Sequence, residues 1–359
     1  MIAIIIGTRP EFIKILPLVR ELKKNRIKFQ LIHTGQHYSK NLSEIFLSEY
    51  KNIKVDYNLK VGSHPHSKQT ALMMEKLEKI LKDLKYTHVI VYGDTNTALS
   101  GALVASKMKH LKTIHIEAGL RSFEENMPEE TNRIIIDHIS DYLFAPTLIS
   151  KRFLLKENIK KKKIFVTGNL IKDSIDIYKN LLKKNNLLSK LKIKKKDYFI
   201  VTIHRQENIE NKKRLTEIIK SLNLVSEKYK KNIIFSIHPK TKKRIKELKL
   251  NVNKSIIFIE PVNYKDFLYL LKNSFFVISD SGGIQEECCL LKIKLITLRT
   301  STERQETLSI GCNLLSKVEN LEMIKKIDYM VHKKPKWKNP YGLGKVSKNI
   351  NGIIKKLIN

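Results

Sequence analysis

Short runs of β-branched and other apolar residues recur along the whole chain, and each is followed by polar residues and then by a helix-like segment. In the first half these runs are Ile2–Ile6, Phe29–His33, Val89–Tyr92, Thr113–Glu117, Tyr142–Ala145 and Lys161–Val166. In the second half they are Tyr198–Ile203, Ile233–Ile237, Ser255–Ile259, Phe275–Ser279 and Lys294–Leu298. Apolar strands that alternate with helices indicate a parallel sheet covered on both faces. The sequence therefore predicts an α/β protein with two doubly wound, Rossmann-like domains that face a cleft.

The length of the chain supports two domains, because 359 residues exceed what one hydrophobic core usually accommodates. Between Asn180 and Asp197 the composition shifts to lysine, asparagine and leucine without glycine, as in exposed helix or connector. We place the N-terminal domain at residues 1–167 and the C-terminal domain at residues 168–344. A closing helix at residues 345–359 is expected to join the first domain.

Composition and cysteine usage indicate a globular protein in a reducing compartment. Apolar residues make up 42% and charged residues 29% of the chain, and no apolar run is long enough to cross a bilayer. The segment from Met1 to Gly7 is typical of a first strand and not of a signal peptide. Cys288, Cys289 and Cys312 form no C-x-x-C pair, so we expect neither a structural disulfide nor a zinc site. These features predict a cytoplasmic protein without a membrane partner.

The formal net charge of +34 raises the possibility of nucleic-acid binding. Lysine is spread along the entire chain, however, and arginine, which reads bases, is the minority cation. No aromatic stacking platform and no known binding motif accompanies the charge. We therefore predict no nucleic-acid partner and expect the charge to attract anionic substrates.

The segment Phe275–Leu291, FFVISDSGGIQEECCLL, combines a strand, a glycine pair and a helix that we expect to begin at Ile284. Glycines let backbone N–H groups approach a ligand closely, and a helix start provides unpaired donors and a positive dipole end for phosphate. Glu286 and Glu287, one turn later, could bind ribose hydroxyls. The alternative is an ordinary strand-to-helix turn with Ser281 as N-cap.

Polar residues follow the ends of most predicted strands, where a doubly wound sheet binds its ligand. In the order of the chain they are Arg9, Lys14, Asp94, Glu117, Arg121, Glu130, Arg133, His204, Arg205 and His238. Singly, each has an ordinary explanation: Glu117 could pair with Arg121 and Glu130 with Arg133, Asp94 could cap a helix, and His204 could be a loop histidine. Together, carboxylates, an imidazole and arginines suit proton transfer beside a departing anion.

Metal and nucleophile chemistry fit the sequence poorly. The one H-x-x-x-H pair, His33 and His37, spans a strand end and a glycine turn and lacks the glutamate of H-E-x-x-H. A serine or cysteine nucleophile elbow is absent. We predict no metal site.

Ten ordered motifs give the chain a family resemblance over essentially its full length. They are GTRPE (Gly7–Glu11), TGQH (Thr34–His37), GDTNT (Gly93–Thr97), HIEAGLRS (His115–Ser122), MPEETNR (Met127–Arg133), HRQEN (His204–Asn208), HPKT (His238–Thr241), DSGGIQEE (Asp280–Glu287), TERQE (Thr302–Glu306) and NPYG (Asn339–Gly342). With these motifs the chain resembles the non-hydrolysing UDP-N-acetylglucosamine 2-epimerases.

The resemblance implies a two-domain fold of the GT-B type, in which the second domain holds UDP and the sugar reaches the first. It implies a reaction without NAD or any other cofactor. UDP leaves C1 as the C2 proton is removed, which gives a 2-acetamidoglucal, and UDP adds back after C2 is reprotonated on the other face. It also implies a homodimer, with UDP-N-acetylmannosamine as product for surface-polysaccharide synthesis.

By motif, the resemblance assigns roles to residues of this chain. The acid/base set would be Asp94, Glu117, Glu130 and His204. The sugar or diphosphate would lie near Arg9, Lys14, Arg133 and Arg205. The nucleotide would be bound by His238, Phe267 (uracil), Ser281, Gly282, Gly283, Glu287 (ribose) and Arg304. A second, activating UDP-sugar, which some bacterial members bind, would lie near Gln36, His37 and Gln69.

The chain departs from the family pattern at two positions. Gln305 stands where family members usually have a proline, which could shift a loop near the nucleotide. Lys68 precedes Gln69 where the bacterial pattern differs, so activation by a second UDP-sugar stays open. Four alternatives stay open. The chain could act on UDP-2,3-diacetamido-glucuronate, hydrolyse UDP-N-acetylglucosamine as it epimerises it, or be a GT-B glycosyltransferase. It could also be a basic nucleic-acid or anion-binding protein without catalysis.

Overall fold

The computed structural model describes residues 1–36, 54–179, 182 and 185–358. The chain divides into two compact units. Unit 1 comprises Met1–Ser174 and Pro340–Asn359, and unit 2 comprises Ile175–Asn339.

Among the described residues, the sheet of unit 1 has seven strands in the order β3-β2-β1-β4-β5-β6-β7, and every neighbouring pair is parallel. Its strands are β1 (Ile2–Ile6), β2 (Phe29–His33), β3 (Tyr57–Asn58), β4 (His88–Tyr92), β5 (Lys112–Ile116), β6 (Tyr142–Ala145) and β7 (Ile164–Val166). The chain begins in the middle of the sheet, and the strand order reverses between β1 and β4.

In the part of unit 2 that the structure describes, the sheet repeats this plan with six parallel strands in the order β10-β9-β8-β11-β12-β13. Its strands are β8 (Tyr198–Thr202), β9 (Asn232–Ser236), β10 (Ile256–Ile259), β11 (Phe276–Ser279), β12 (Leu295–Thr297) and β13 (Asn313–Leu315). The order reverses between β8 and β11. Both units are therefore doubly wound, which confirms the predicted α/β class.

Helices connect the strands, as parallel pairing requires. They are α1 (Arg9–Lys24), α2 (His66–Leu81), α3 (Asn96–Ser106), α4 (Pro128–Ile139), α5 (Leu148–Lys156), α6 (Ile171–Tyr178), α7 (Leu187–Lys190), α8 (Gln206–Ile209), α9 (Lys212–Tyr229), α10 (Pro239–Glu247), α11 (Tyr264–Asn273), α12 (Gly282–Leu291), α13 (Gln305–Ser309), α14 (Asn320–His332) and α15 (Val346–Ile358). No helix among the described residues is both long and apolar enough to cross a membrane.

The central strands consist of unbroken runs of mainly apolar residues because both of their faces are buried. All five residues of β1 and all five of β4 are buried, because helices cover both faces of the sheet. In unit 2 the core around Phe199, Phe235 and Phe276 is fully buried. Each aliphatic or aromatic side chain removed from water in this way contributes about 1.5–3 kcal/mol. The cores thus hold the strand ends, and the loops that follow them, in fixed positions.

The C-terminal helix α15 belongs to unit 1, where it packs against α1. The Asp173 carboxylate accepts hydrogen bonds from Val346 N (3.1 Å) and Ser347 N (2.8 Å) at its first turn, where a negative charge is favourable. Nearby, Asn169 N donates to Tyr341 O (3.2 Å). These contacts place residues 168–174 and 340–344 in unit 1. The sequence-based boundaries had assigned both ranges to the C-terminal domain.

Element bounds differ from the sequence-based ones at a few places, each for a local reason. The run Lys161–Val166 begins as a 3-10 turn at Lys161–Lys163, none of which is buried, and only Ile164–Val166 is strand. Helix α12 begins at Gly282, two residues before the expected Ile284. Strands β3 and β13 were not predicted: β3 has only two residues, too few to show a period, and β13 begins with a buried asparagine, Asn313, in place of an apolar residue.

Candidate active site

The loops at the reversal point of unit 1 follow β1 and β4, which is where doubly wound sheets bind ligands. Gly7 begins the first loop and is closely packed. A Cβ on Gly7 would lie 2.0 Å from Thr97 Oγ1 and 2.4 Å from Thr34 Oγ1. The hydroxyl groups of these two threonines are themselves hydrogen-bonded at 2.8 Å. A glycine is therefore required for the β1 loop to lie against the start of α3.

Glu117 and Lys14 form a buried ion pair at this edge of the sheet. Lys14 Nζ lies 2.6 Å from Glu117 Oε1. The same oxygen accepts hydrogen bonds from Tyr92 OH (3.1 Å) and Asn169 Nδ2 (3.2 Å). Glu117 has φ +73°, a left-handed conformation that is unusual for a glutamate and is typical of functional sites. Glu117 therefore pairs with Lys14 and not with Arg121, which was the partner considered from the sequence.

Arg121 belongs to a separate buried network beneath this loop. Its guanidinium pairs with Asp137 Oδ2 and Glu157 Oε2, each at 2.7 Å. Asp137 also contacts His115 Nδ1 at 2.7 Å and accepts a hydrogen bond from Gly119 N at 3.0 Å. Burial alone would raise the pKa of Asp137, but His115 and Arg121 hold it below its usual value. This network supports the loop that carries Glu117.

Asp94 and Glu130 meet at Arg133. Arg133 Nη2 lies 2.7 Å from Asp94 Oδ2, and Arg133 Nη1 pairs with Glu130 Oε2 across one turn of α4. The local pair of Glu130 with Arg133 is thus present, but it is part of a larger cluster. Asp94 does not cap the following helix, because Thr95 does so through Oγ1, which accepts from Ala98 N at 3.3 Å.

The two carboxylates that share Arg133 have different surroundings. Glu130 is buried and accepts hydrogen bonds from Ser122 N (3.0 Å), Ser122 Oγ (2.9 Å) and Phe123 N (2.9 Å). The Asp94 side chain keeps 27% of its surface exposed. Asp94 is therefore the more accessible carboxylate, and Glu130 ties helix α4 to the loop after Glu117.

Glu11, the last residue of the GTRPE motif, also belongs to this cluster, although no role was predicted for it. Its carboxylate accepts hydrogen bonds from Gly7 N (2.6 Å), Thr8 N (2.9 Å) and Thr95 Oγ1 (2.5 Å). Burial raises the pKa of Glu11 from its ordinary 4.5 to about 7. The T-x-x-E spacing of Thr8 and Glu11 is a capping-box pattern at the start of α1, and it was the available sequence signal. Arg9, the first residue of α1, is half-buried beside it.

Gln36 and Gln69, two of the residues expected near a second nucleotide, lie together. Gln69 Nε2 donates to Gln36 O (3.1 Å), and Gln69 Oε1 accepts from Asn96 Nδ2 (2.9 Å). Gln36 Oε1 in turn accepts from Thr97 Oγ1 at 2.8 Å. Both glutamines therefore contact the segment that directly follows Asp94. His37 lies outside the described residues.

In unit 2 the reversal point brings together His204, after β8, and Asp280, after β11. His204 Nδ1 lies 3.0 Å from Asp280 Oδ1. Arg205 N donates to Asp280 Oδ2 at 3.0 Å, and so does Asn208 Nδ2 at 3.0 Å. Burial alone would raise the pKa of Asp280, but His204, Asn208 and the Arg205 amide hold it below its usual value. Asp280 is a second residue that sequence analysis did not assign, although it lies within the DSGG motif.

The glycines at the start of α12 differ in what covers them. A Cβ on Gly282 would lie 2.2 Å from Glu303 Oε1, whereas nothing lies within 4 Å of a Cβ on Gly283. Glu303 is held by Arg299, whose Nη2 is 2.9 Å from Glu303 Oε2. The start of α12 is therefore blocked by Glu303 beside Gly282 and open beside Gly283. Ser281, the residue before the glycine pair, is half-buried.

The remaining nucleotide candidates lie in the segments that follow β9, β10, β11 and β12 of this sheet. Arg304 Nε lies 2.6 Å from Glu286 Oε1, so this glutamate serves as an ion-pair partner. Glu287 is buried, one residue further along α12. His238 caps α10, because its Nδ1 accepts from Lys240 N at 3.2 Å. Phe267 is half-buried in the first turn of α11.

Gln305, where the resemblance led us to expect a proline, begins α13, and its Nε2 donates to Thr302 O at 2.8 Å. In the part of the chain that the structure describes, no group of three His, Cys, Asp or Glu side chains is arranged to hold a metal ion.

Comparison with known proteins identifies the family. The sequence model of the UDP-N-acetylglucosamine 2-epimerases matches residues 20–355. The chain belongs to this family. The UDP-N-acetylglucosamine 2-epimerase of Methanocaldococcus jannaschii is 49% identical over 360 residues, 98% of each chain. That of Methanococcus maripaludis is 47% identical over 361 residues, again 98% of each chain.

A solved structure in the family shares the fold. The crystal structure of the M. jannaschii UDP-GlcNAc 2-epimerase in complex with UDP-GlcNAc and UDP has a TM-score of 0.91 and 48% identity, and the match covers 99% of both chains. The family resemblance and the GT-B-type fold class predicted from the sequence are both confirmed.

Proposed function

We propose that the protein catalyses the reversible epimerisation of UDP-N-acetylglucosamine to UDP-N-acetylmannosamine. The observation that carries this proposal is the cluster at the reversal point of unit 1. There, Asp94 and Glu117 each face a cation, Arg133 and Lys14, at 2.7 and 2.6 Å. Membership of the epimerase family across the whole chain supports this substrate over the others that the sequence left open.

The chemistry requires an acid or base on each face of C2. In the first step a carboxylate or imidazole takes the C2 proton, the C1–O bond breaks with its electron pair going to UDP, and C1 and C2 become doubly bonded. In the second step a proton is delivered to the opposite face of C2, and a UDP oxygen forms the new bond to C1. Asp94, Glu117, Glu130 and His204 form the set from which both partners are drawn.

Cations are needed where negative charge develops on the departing diphosphate. Lys14 and Arg133 lie within ion-pair distance of Glu117 and Asp94 in unit 1, so positive charge is already present beside the proposed acid/base set. Arg9 and Arg205, half-buried at the starts of α1 and α8, are proposed to interact with the sugar or the diphosphate.

The nucleotide is assigned to unit 2. The diphosphate is proposed to accept hydrogen bonds at the start of α12 from Ser281, Gly282 and Gly283, on the side that Gly283 leaves open. Glu303 lies against Gly282 and would repel a phosphate there, which favours the open side. Glu287 is proposed to bind ribose and Phe267 uracil. His238 and Arg304 are proposed as further nucleotide contacts.

A second UDP-sugar is proposed to act near Gln36 and Gln69. Their hydrogen bonds to Thr97 and Asn96 give a ligand at this position direct contact with the segment after Asp94. We further propose that the enzyme is a cytoplasmic homodimer that supplies surface-polysaccharide synthesis.

One assay tests the activity and separates its rivals. The enzyme is incubated with UDP-N-acetylglucosamine alone in D2O, and the sugar is followed by NMR. Deuterium at C2 of a mixed pool of intact UDP-sugars supports the proposal. Free amino sugar would indicate a hydrolysing epimerase. Inertness of this substrate, with exchange in UDP-2,3-diacetamido-glucuronate, would reassign the substrate, and inertness of both would favour a transferase or a binding protein.

A further inference from the structure

The register of two central strands brings His204 and Asp280 to one point of unit 2. Strands β8 and β11 pair in parallel with Thr202 opposite Ser279, and the two hydroxyl groups are hydrogen-bonded at 2.7 Å. The residues that follow these strands therefore leave the sheet side by side. His204 is the second residue after β8 and Asp280 the first after β11, and their side chains meet at 3.0 Å.

The surroundings of Asp280 make it a fixed acceptor. Its side chain is fully buried. Its carboxylate accepts hydrogen bonds from His204 N (3.1 Å), Arg205 N (3.0 Å) and Asn208 Nδ2 (3.0 Å). An ionised carboxylate has no proton to donate, so the short contact with the imidazole requires a proton on Nδ1 of His204.

The imidazole of His204 is open at its other end. Its side chain keeps 58% of its surface exposed, and within the described parts of the chain no hydrogen bond to Nε2 is present. When the ring is neutral and Nδ1 carries the proton, Nε2 has a free lone pair and is the atom that can accept a proton.

We propose that Asp280 is a positioning residue for His204: it fixes the Nδ1–H tautomer and the ring orientation, so that Nε2 is the proton-transferring atom. The reaction in which Nε2 acts rests on the function proposed above, but the tautomer does not. Asp280 directly precedes Ser281 and Gly282 at the start of α12. One carboxylate thus holds the histidine at a fixed distance from the backbone donors proposed to bind diphosphate.

A purely structural role for Asp280 is the alternative, since it also anchors the backbone of residues 204 and 205. The two roles predict different results for Asp280→Asn. The asparagine keeps an oxygen for the backbone donors, but its amide donates to Nδ1 and forces the neutral ring into the Nε2–H tautomer. In a serine-protease triad an equivalent aspartate-to-asparagine change leaves the geometry intact and lowers kcat about 10⁴-fold.

The test is 15N NMR of the full-length enzyme labelled at histidine, recorded at a pH where the imidazoles are neutral. The signals of His204 are assigned by their loss in His204→Asn. We expect the Nδ1–H tautomer in the wild type and the Nε2–H tautomer in Asp280→Asn. We also expect kcat of Asp280→Asn to fall roughly 10²- to 10⁴-fold, with a much smaller change in KM.

Asp328→Asn is the matched control, because Asp328 pairs with Lys228 and Tyr229 on the surface of the same unit. It should keep both the tautomer and kcat. An Nε2–H tautomer in the wild type would overturn the inference even if Asp280→Asn did not fold. An unchanged tautomer in a folded Asp280→Asn would overturn it too. The tautomer is read without substrate, so failure of the proposed epimerisation would appear separately, in the exchange assay.

Discussion

Lys14 Nζ lies 2.6 Å from Glu117 Oε1, and both side chains are almost completely removed from solvent. The pair joins the helix after β1 to the end of β5. It therefore spans β4, whose Tyr92 donates its hydroxyl to the same carboxylate oxygen. This arrangement connects the ends of β1, β4 and β5 through the Glu117 carboxylate.

Glu117→Gln should abolish proton exchange at C2 while leaving nucleotide binding intact. The amide has the shape of the carboxylate but does not accept a proton from carbon, so we expect exchange to fall by at least about 10²-fold. UDP is assigned to unit 2, so its affinity should not change. NMR exchange in D2O and calorimetry with UDP measure the two quantities. Full exchange in the variant would remove Glu117 from the chemistry.

Lys14→Met should destabilise the protein more than the double variant Lys14→Met/Glu117→Gln does. The single change leaves the Glu117 charge buried without its cation, which typically costs about 3–5 kcal/mol. Removing the second charge should restore part of this free energy. Urea unfolding of the wild type, Lys14→Met, Glu117→Gln and the double variant gives the coupling. Equal destabilisation of the single and double variants would contradict the ion-pair account.

Asp94→Asn and Glu130→Gln should both lose proton exchange at C2, but only Glu130→Gln should also lose much stability. Asp94 is partly exposed, and Arg133 retains Glu130 when Asp94 is neutral. We therefore expect Asp94→Asn to lose exchange with a change in stability below about 1 kcal/mol. Glu130 accepts two backbone amides and a hydroxyl, so Glu130→Gln should lose about 1–3 kcal/mol of stability as well as exchange. The same stability loss in both variants would contradict this division.

The strands and the polar residues after them could be predicted from the sequence, because buried parallel strands are apolar throughout and each ends at a change to polar residues. The pairing of those residues could not. Arg121 is four residues from Glu117, yet it pairs with Asp137 and Glu157, which only the packing of α4 and α5 brings near. Similarly, the contact between His204 and Asp280 depends on the register between β8 and β11. The pattern of apolar residues within each strand does not determine that register.

The two residues that sequence analysis left unassigned, Glu11 and Asp280, lie inside recognised motifs. Their importance comes from burial and from hydrogen bonds that they accept from backbone amides. Such contacts are long-range in sequence for Asp280, and short-range for Glu11, where the capping-box spacing was a usable signal. The roles of the glycine pair also required coordinates, since Glu303 reaches Gly282 from a separate loop.

Glu11 should make the protein less stable as the pH rises. Burial raises its pKa in the folded state to about 7, from 4.5, so the folded protein binds this proton more tightly than the unfolded chain does. Its contribution is fully present below pH 4.5 and is lost as the pH rises through about 7, at a cost of about 3 kcal/mol. Glu11→Gln should lack this dependence.

Unfolding free energies of the wild type and Glu11→Gln, measured from pH 4.5 to 8, test this expectation through their difference. Glu75→Gln is the control, because Glu75 pairs with Lys79 on the exposed face of α2. The Asp94 charge nearby also raises the pKa of Glu11, so Asp94→Asn should shift the transition to lower pH. A constant difference between wild type and Glu11→Gln over this range would refute the assignment.

Gly282→Ala should lower stability, whereas Gly283→Ala should keep stability but lower UDP affinity. The new methyl at 282 would lie 2.2 Å from Glu303 Oε1, so it should push Glu303 away from the buried Arg299 and cost about 1–3 kcal/mol. The methyl at 283 meets no protein atom within 4 Å, and alanine is the better helix former. Gly283→Ala should therefore keep or gain stability, but its methyl fills the open side proposed for the diphosphate and should weaken UDP at least about tenfold. Urea unfolding and calorimetry of both variants give the four values, and unchanged UDP affinity in Gly283→Ala would place the diphosphate elsewhere.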